Sequence, residues 1–160
     1  YWRATIMTQQ EIPVFGEKIT GVDYMYRYGV YGIVSRENNS EICLVQAPNG
    51  AFFLPGGEIE ADENHALALE RELLEELGAT ATLGRYFGQA DEYFYSSHRD
   101  KYFCNPAYIY ETLDAHFDQA PLEDFNKIFW FDNQTAIEKL KRGSHKWGVE
   151  QWINTLSSST

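Results

Sequence analysis

The chain has 160 residues, of which 44% are hydrophobic, 23% charged and 16% aromatic, and its formal net charge at pH 7 is −11. A chain of this length and composition fits one globular domain with a substantial core. Because only 13 residues are Lys or Arg, the charge disfavours a nucleic-acid-binding surface, and no apolar run reaches the ~18 residues of a helical membrane span.

The first 13 residues show no convincing periodic pattern. We therefore expect residues 1–13 to form an irregular N-terminal lead-in and residues 14–156 to form a single domain. The polar start lacks the features of a signal peptide, so we expect a cytoplasmic protein. Cys43 and Cys104 lie in apolar, strand-like contexts without the spacing of a zinc site, and we expect both thiols to be buried and structural.

Tyrosines occupy every second position at Tyr24, Tyr26 and Tyr28, and a β-rich run follows over residues 30–34. This pattern predicts strands on either side of Gly29. The tyrosine-rich strands also offer a surface through which the chain could form a homodimer.

A polar cluster at residues 36–40 predicts a turn. Residues 41–46 are then expected to form the partner strand of a hairpin with the preceding β-rich run. A second turn at residues 48–50 leads into a short strand at residues 51–53.

One helix is predicted from Glu63 to Gly78, because Gly just past the last periodic residue is the usual left-handed end of a helix. Glu72, Glu75 and Glu76 share one face of this helix, and like charges at that spacing cost roughly 0.2–0.5 kcal/mol per pair. They also lie in the last turns, where the helix dipole is negative. Clustered carboxylates behind a Gly-Gly turn indicate a hard-oxygen site for Mg²⁺ or Mn²⁺. The alternative is an acidic helix face that is simply solvated.

The rest of the chain predicts a second hairpin, a further strand and two terminal helices. Strands joined mostly as hairpins, with one helix in mid-chain and two at the end, indicate an α/β fold with a mixed central sheet and helices on both faces. The predicted elements are strands at residues 80–97, 102–117 and 127–131 and helices at residues 135–141 and 143–156.

The stretch from residue 54 to residue 79 resembles the signature of the Nudix hydrolase family, also called MutT-like. After Gly57 come five residues, Glu63, seven residues and then the run Arg-Glu-Leu-Leu-Glu-Glu-Leu-Gly. Ala79 stands where the family more often has a larger aliphatic residue. The fixed positions of this Nudix box are Gly57, Glu63, Arg71, Glu72, Glu75, Glu76 and Gly78.

The resemblance implies an α/β/α sandwich and an enzyme that uses Mg²⁺, or Mn²⁺, to hydrolyse a pyrophosphate bond. Its substrate would be a nucleoside diphosphate linked to another group, a small-molecule nucleotide derivative rather than a nucleic acid or a membrane. The resemblance further implies that Glu72, Glu75 and Glu76 bind the metal, with a carbonyl oxygen from Gly56 or Gly57. Either Glu72 or Glu76 could double as general base.

Three further charged residues, two in the box and one outside it, have expected roles. Glu63 is expected to bond the loop or a metal-bound water. Arg71 is expected to orient carboxylates through its planar donors, or to pair with Glu75 one turn on, and the two roles are compatible. Glu123 lies just before the predicted Trp-Phe strand, where many relatives carry an additional metal-binding acid; the alternative for it is an ordinary solvated loop acid.

Candidates for substrate contacts are a few basic residues near strand ends or in the hairpin loop, although residues of this kind are more often ordinary surface residues. Tyr93 and Phe94 could stack on a base, or could belong to the core. The basic candidates are Arg27, His98, Arg99 and Lys101.

A runner-up function is a Nudix-fold sensor that binds a nucleotide derivative without cleaving it. Degenerate box carboxylates would favour a sensor, and the box here is complete. A purely structural interaction module would leave the acidic cluster unexplained.

Overall fold

The computed structural model describes residues 11–158, so most of the lead-in expected at residues 1–13 lies outside the described residues. Within residues 11–158 the chain forms ten β-strands and three α-helices. The strands are β1 (Val14–Phe15), β2 (Met25–Tyr26), β3 (Gly29–Ile33), β4 (Ser35–Arg36), β5 (Glu41–Gln46), β6 (Phe52–Phe53), β7 (Gly56–Glu58), β8 (Ala79–Ser96), β9 (Lys101–Phe117) and β10 (Lys127–Asp132). The helices are α1 (His65–Leu77), α2 (Asn133–Lys139) and α3 (Gly143–Ser158).

The strands form two sheets. The mixed sheet has the order β1-β8-β9-β3-β7, with β2 also paired to β9. In it β1 runs parallel to β8 and β3 parallel to β9, whereas β8–β9 and β3–β7 are antiparallel. The second sheet is antiparallel, with the order β10-β5-β4 and with β6 also paired to β5. The expected hairpin of the two longest strands, β8 and β9, is confirmed.

The hairpin predicted between residues 30–34 and residues 41–46 is wrong. Both edges of β3 are already paired, one with β9 and the other with β7, so β5 has no edge of β3 to join. The chain crosses from one sheet to the other after Val34, whose carbonyl oxygen accepts the amide of Cys43 at 2.9 Å. Only the two-residue strand β4 pairs with β5 across the turn.

The core lies on both faces of the sheets. Side chains that alternate along β3 and β5 point to opposite sides: Val30, Val34, Cys43 and Val45 pack with α1. Ile33, Ile42 and Leu44 pack with α2 and α3, where Ala136 and Trp152 are buried. The predicted mixed sheet with helices on both faces is therefore confirmed. Cys43 and Cys104 are buried free thiols, as expected.

The bounds of the two C-terminal helices differ by two residues from the predicted ones. Asp132 caps α2 by accepting the amide of Thr135 at 2.9 Å, so this helix begins earlier than residue 135 and ends at Lys139. Among residues 11–158, no helix is long and apolar enough to cross a bilayer.

Candidate active site

Helix α1 carries the acidic residues and has well-defined ends. Its N-cap is Asn64, whose side-chain oxygen accepts the amide of Leu67 at 2.8 Å. The helix begins after the predicted Glu63 because the Glu63 carboxylate instead bonds the backbone amide of Glu60 at 2.8 Å. It ends at Gly78, whose φ of 66° is the left-handed conformation that the sequence predicted.

The last turns of α1 press two carboxylates against the Gly-Gly turn of β7. Oε1 of Glu76 accepts the amide of Gly56 at 2.8 Å. Glu72 is 9% exposed, and a Cβ built on Gly57 would lie 2.2 Å from its Oε2. The absence of side chains at this turn therefore lets the β7 backbone approach both carboxylates. Burial of Glu72 is inconsistent with a freely solvated acidic face.

Burial also changes the proton affinity of these two carboxyl groups. Burial raises the pKa of Glu72 to about 7, with the Glu75 charge adding to the shift and Arg71 opposing it. Burial raises the pKa of Glu76 to about 8, and the hydrogen bond from Gly56 opposes that shift. A positive charge placed between the two groups would stabilise their ionised forms.

Arg71 holds the neighbouring acids in place. Its Nε and Nη2 donate to the two oxygens of Glu63 at 2.6 and 3.0 Å, which is a bidentate arrangement. Nη1 donates to Glu75 Oε1 at 3.0 Å, and Nη2 also donates to the Glu58 carbonyl oxygen at 2.9 Å. Hydrogen bonding to Arg71 lowers the pKa of Glu63. Both arrangements considered for Arg71 therefore coexist, and Glu63 bonds the loop.

The loop before β10 brings Glu123 to the end of α1. The Glu123 amide donates to the Glu75 carbonyl oxygen at 2.8 Å, which satisfies one of the free carbonyls at the helix end. A Cβ on Gly78 would lie 2.1 Å from the Gln119 oxygen, so the loop passes directly against the helix terminus. Burial and the nearby charge of Glu75 raise the pKa of Glu123. A fourth acid thus lies beside Glu72, Glu75 and Glu76.

The donor chemistry fits a hard divalent cation, since the acids supply only oxygen ligands. Among residues 11–158, no three His, Cys, Asp or Glu side chains are arranged to hold a metal ion. The hydrogen bonds described above explain the arrangement: Arg71 holds Glu75 and the Gly56 amide holds Glu76. Binding an ion would require these carboxylates to turn toward it.

A cleft of about 420 Å³ opens near the acids, between the β5–β6 connection, the end of β8 and the start of α3. Phe53, Phe94 and His98 line it together with Arg142. The guanidinium carbon of Arg142 lies 3.9 Å from the centre of the Phe94 ring, and Nη1 donates to Asn105 Oδ1 at 3.2 Å. Aromatic walls with a few fixed polar groups are typical of small-molecule sites.

Arg142 connects this cleft to the acids. It also lines a smaller cavity whose other walls include Gly56, Gly57 and Glu76. The sequence did not single out Arg142; the signal was a Lys-Arg pair directly before the Gly-Ser that begins the last helix. His145, in the first turn of that helix, is buried and its Nδ1 accepts the amide of Leu54 at 3.1 Å.

The other sequence-derived candidates separate into different environments. His98 lines the cleft with Phe94. Arg27 forms a bidentate ion pair with Glu58 at 3.0 and 2.5 Å. Tyr93 is 9% exposed and packs edge-on against Tyr24, so its ring belongs to the core. Arg99 and Lys101 line a separate depression together with Arg27 and Glu58.

Comparison with known proteins gives one consistent result. The NUDIX domain model matches residues 25–153. The chain is 34% identical over 107 residues to the CTP pyrophosphohydrolase of Escherichia coli K12. This alignment covers 64% of this chain and 74% of that protein. It is 30% identical over 115 residues to the NAD-capped RNA hydrolase NudC of Vibrio cholerae, covering 70% of this chain and 40% of the relative. The solution structure of the E. coli ORF135 protein has the same fold, with a TM-score of 0.64, 24% identity, and coverage of 84% of this chain and 94% of that one.

Proposed function

Because the chain belongs to the Nudix family, we propose that it hydrolyses a pyrophosphate bond in a nucleoside diphosphate linked to another group, with Mg²⁺ or Mn²⁺ as its cofactor. The observation that carries this proposal is the burial of Glu72 and Glu76 against the Gly56–Gly57 turn, where their carboxyl groups have raised pKa values. Two relatives have names that describe hydrolysis of a nucleotide or a nucleotide cap.

The residues that would hold the ion are Glu72, Glu75 and Glu76, with a carbonyl oxygen from Gly56 or Gly57. When bound, a divalent ion neutralises negative charge on a phosphate chain and on the leaving phosphate. The hydrogen bond from Gly56 anchors one of the three carboxylates, and Arg71 anchors another. The chain therefore supplies the ligands on a rigid helix instead of a loose loop.

Glu72 is the carboxylate that we assign as general base. Glu72 is buried beside the Gly56–Gly57 turn, whereas one oxygen of Glu76 already accepts the Gly56 amide. Glu123 is the second candidate for the base, because its backbone is fixed to the end of the same helix.

The cleft beside the acids is where we place the nucleoside of the substrate. Phe53 and Phe94 offer aromatic walls, and Arg142 lies between this cleft and Glu76. A guanidinium in that position can bind a phosphate oxygen while the base lies among the rings. His98, which also lines the cleft, is a further contact to the nucleoside end.

Hydrolysis assays on nucleoside triphosphates, dinucleoside polyphosphates, ADP-ribose and nucleotide sugars, with Mg²⁺ and with EDTA, test the proposal. We expect Mg²⁺-dependent turnover that falls about 100-fold or more in Glu75→Gln and in Glu76→Gln. Glu70→Gln is the matched control, because Glu70 lies on the exposed side of the same helix.

Unchanged turnover in Glu75→Gln and Glu76→Gln would refute the roles assigned to these carboxylates. Tight nucleotide binding without product over several hours would instead support the sensor. No turnover and no binding across the panel would contradict both the hydrolase and the sensor.

A further inference from the structure

A second depression, of about 530 Å³, is separate from the nucleoside cleft and has Glu58 in its wall. Three cationic side chains line it, Arg27, Arg99 and Lys101, together with Tyr26. Such a concentration of positive charge is notable in a chain whose net charge is −11. Glu58 neutralises one of the three charges by pairing with Arg27, so a net positive charge remains that can attract an anionic ligand.

Two of the three cations lie over one buried ring. Phe103 is 2% exposed, and the guanidinium carbons of Arg27 and Arg99 lie 5.6 and 5.9 Å from its centre. Glu58 binds Arg27 through both carboxylate oxygens and fixes its orientation. Arg27 is therefore fixed against the core of the mixed sheet, whereas Arg99 and Lys101 are exposed residues at the turn between β8 and β9.

This cationic depression is continuous with the proposed active site. The Phe94 and Phe103 rings stack with their centres 5.7 Å apart, and Arg142 lies on Phe94. Between the two ends is a smaller depression bordered by both Arg27 and Arg142. A groove thus runs from His98, past Arg142 and the acids, to Arg99 and Lys101.

We propose that this groove binds a two-ended ligand, in which two nucleosides are joined through a chain of phosphates. This inference rests on the proposed function for the position of the first nucleoside and of the scissile bond. The phosphate chain lies along Arg142 and Arg27, and the second nucleoside lies at the Tyr26 end. The Tyr26 side chain is 53% exposed and the neighbouring Met25 is 50% exposed, so both offer apolar surface to a second base.

A nucleoside with a single phosphate chain would fill only part of this groove. It would reach the cations with its terminal phosphates but leave the Tyr26 surface in contact with water. The two-ended ligand is therefore expected to bind more tightly, although it carries one negative charge fewer than a one-ended ligand with the same number of phosphates, whose terminal phosphate ionises twice.

Calorimetric binding of matched ligands in EDTA tests this directly, since no turnover is required. The probes are nucleoside 5′-tetraphosphates and dinucleoside tetraphosphates carrying adenine, guanine, cytosine or uracil. For the preferred base, we expect the two-ended ligand to bind the wild type at least about tenfold more tightly. That ratio should fall to near one in Arg99→Ala/Lys101→Ala and in Tyr26→Ala.

Two control variants should keep the ratio. Arg85→Ala removes an exposed arginine of β8 that does not line the groove, and Tyr26→Phe retains the aromatic ring. Circular dichroism checks that every variant is folded.

Three results would overturn the inference: equal affinities for both ligand types in the wild type, an unchanged ratio in the groove variants, or no measurable binding of either ligand. Tighter binding of the one-ended tetraphosphate, weakened in Arg99→Ala/Lys101→Ala, would also overturn it, because this end would then bind phosphate alone. Failure of the proposed function would appear separately, as absent turnover with Mg²⁺ despite a retained binding ratio.

Discussion

The carboxylate of Glu72 lies against the backbone of Gly57 so closely that a Cβ on Gly57 would come within 2.2 Å of Oε2. This contact links the turn of β7 to the last turns of α1. It explains in steric terms why the box has glycine at this position, because any larger residue must displace the carboxylate or the turn.

Replacing Gly57 with alanine tests that contact. Gly57→Ala should lower kcat/KM about 100-fold, since a displacement of about 1 Å at a catalytic group can have an effect of that size. Gly84→Ala is the control, because the nearest atom to its Cβ is the end of the Glu111 side chain, at 3.0 Å. Equal activity of the two variants would show that Glu72 has no fixed position in the reaction.

The proton affinity of Glu76 predicts a pH dependence of stability in the metal-free protein. Its folded pKa of about 8 lies above the ordinary value of 4.5, so the folded state binds the proton more tightly than the unfolded state. The free energy of unfolding should therefore fall as pH rises from about 5 toward 8. In EDTA at pH 9, Glu76→Gln should be more stable than the wild type by about 1 kcal/mol or more, and the difference should shrink toward pH 5.

Urea denaturation at several pH values measures this difference. Glu70→Gln should follow the wild-type profile at every pH, because this side chain is exposed on the same helix. A Glu76→Gln profile parallel to the wild type would mean that Glu76 is not buried as described.

His145 predicts a dependence of the opposite sign. Burial and the nearby charge of Arg142 hold its pKa well below 6.5, so the unfolded state takes up a proton that the folded state does not. The free energy of unfolding should fall as pH drops below 6.5, by up to about 1.4 kcal/mol per pH unit for this group. His145→Gln should be less stable than the wild type at pH 7 but lose less stability by pH 5. His116→Gln, at an exposed position, should leave the acid dependence unchanged.

Arg71 is the structural clamp of the acidic cluster. Arg71→Lys keeps the charge but loses the bidentate bond to Glu63 and cannot bond Glu75 and the Glu58 carbonyl at the same time. We expect a loss of about 1–2 kcal/mol in unfolding free energy and a measurable fall in kcat. Arg85→Lys is the control for a change of the same type on β8. Wild-type stability and kcat in Arg71→Lys would show that the positive charge alone is sufficient.

Local patterns predicted much of the fold. The end of α1 at Gly78, the strand Glu41–Gln46 and the hairpin of β8 with β9 all follow from residues close together in sequence. The box residues, likewise, lie within one helix and the turn before it. Such features depend on caps, alternation and turn chemistry, which a sequence displays directly.

The pairing of strands and the substrate groove could not be predicted in the same way. β3 pairs with β9, whose residues lie more than 70 positions away, and no local signal distinguishes that partner from β5. Arg142, which lies between the last two helices, contacts Phe94 on β8 and Asn105 on β9. Only the folded sheet brings these residues together, so Arg142 looked like an ordinary basic residue before a helix.

The central claim is that a divalent ion binds among Glu72, Glu75 and Glu76. A crystal grown or soaked with Mn²⁺ tests this most directly, because the anomalous scattering of manganese locates the ion without reference to activity. We predict a peak bonded to at least two of the three carboxylates. A map with no peak there, and with Glu75 still bonded to Arg71 and Glu76 to Gly56 or with the side chains extended into solvent, would contradict the claim.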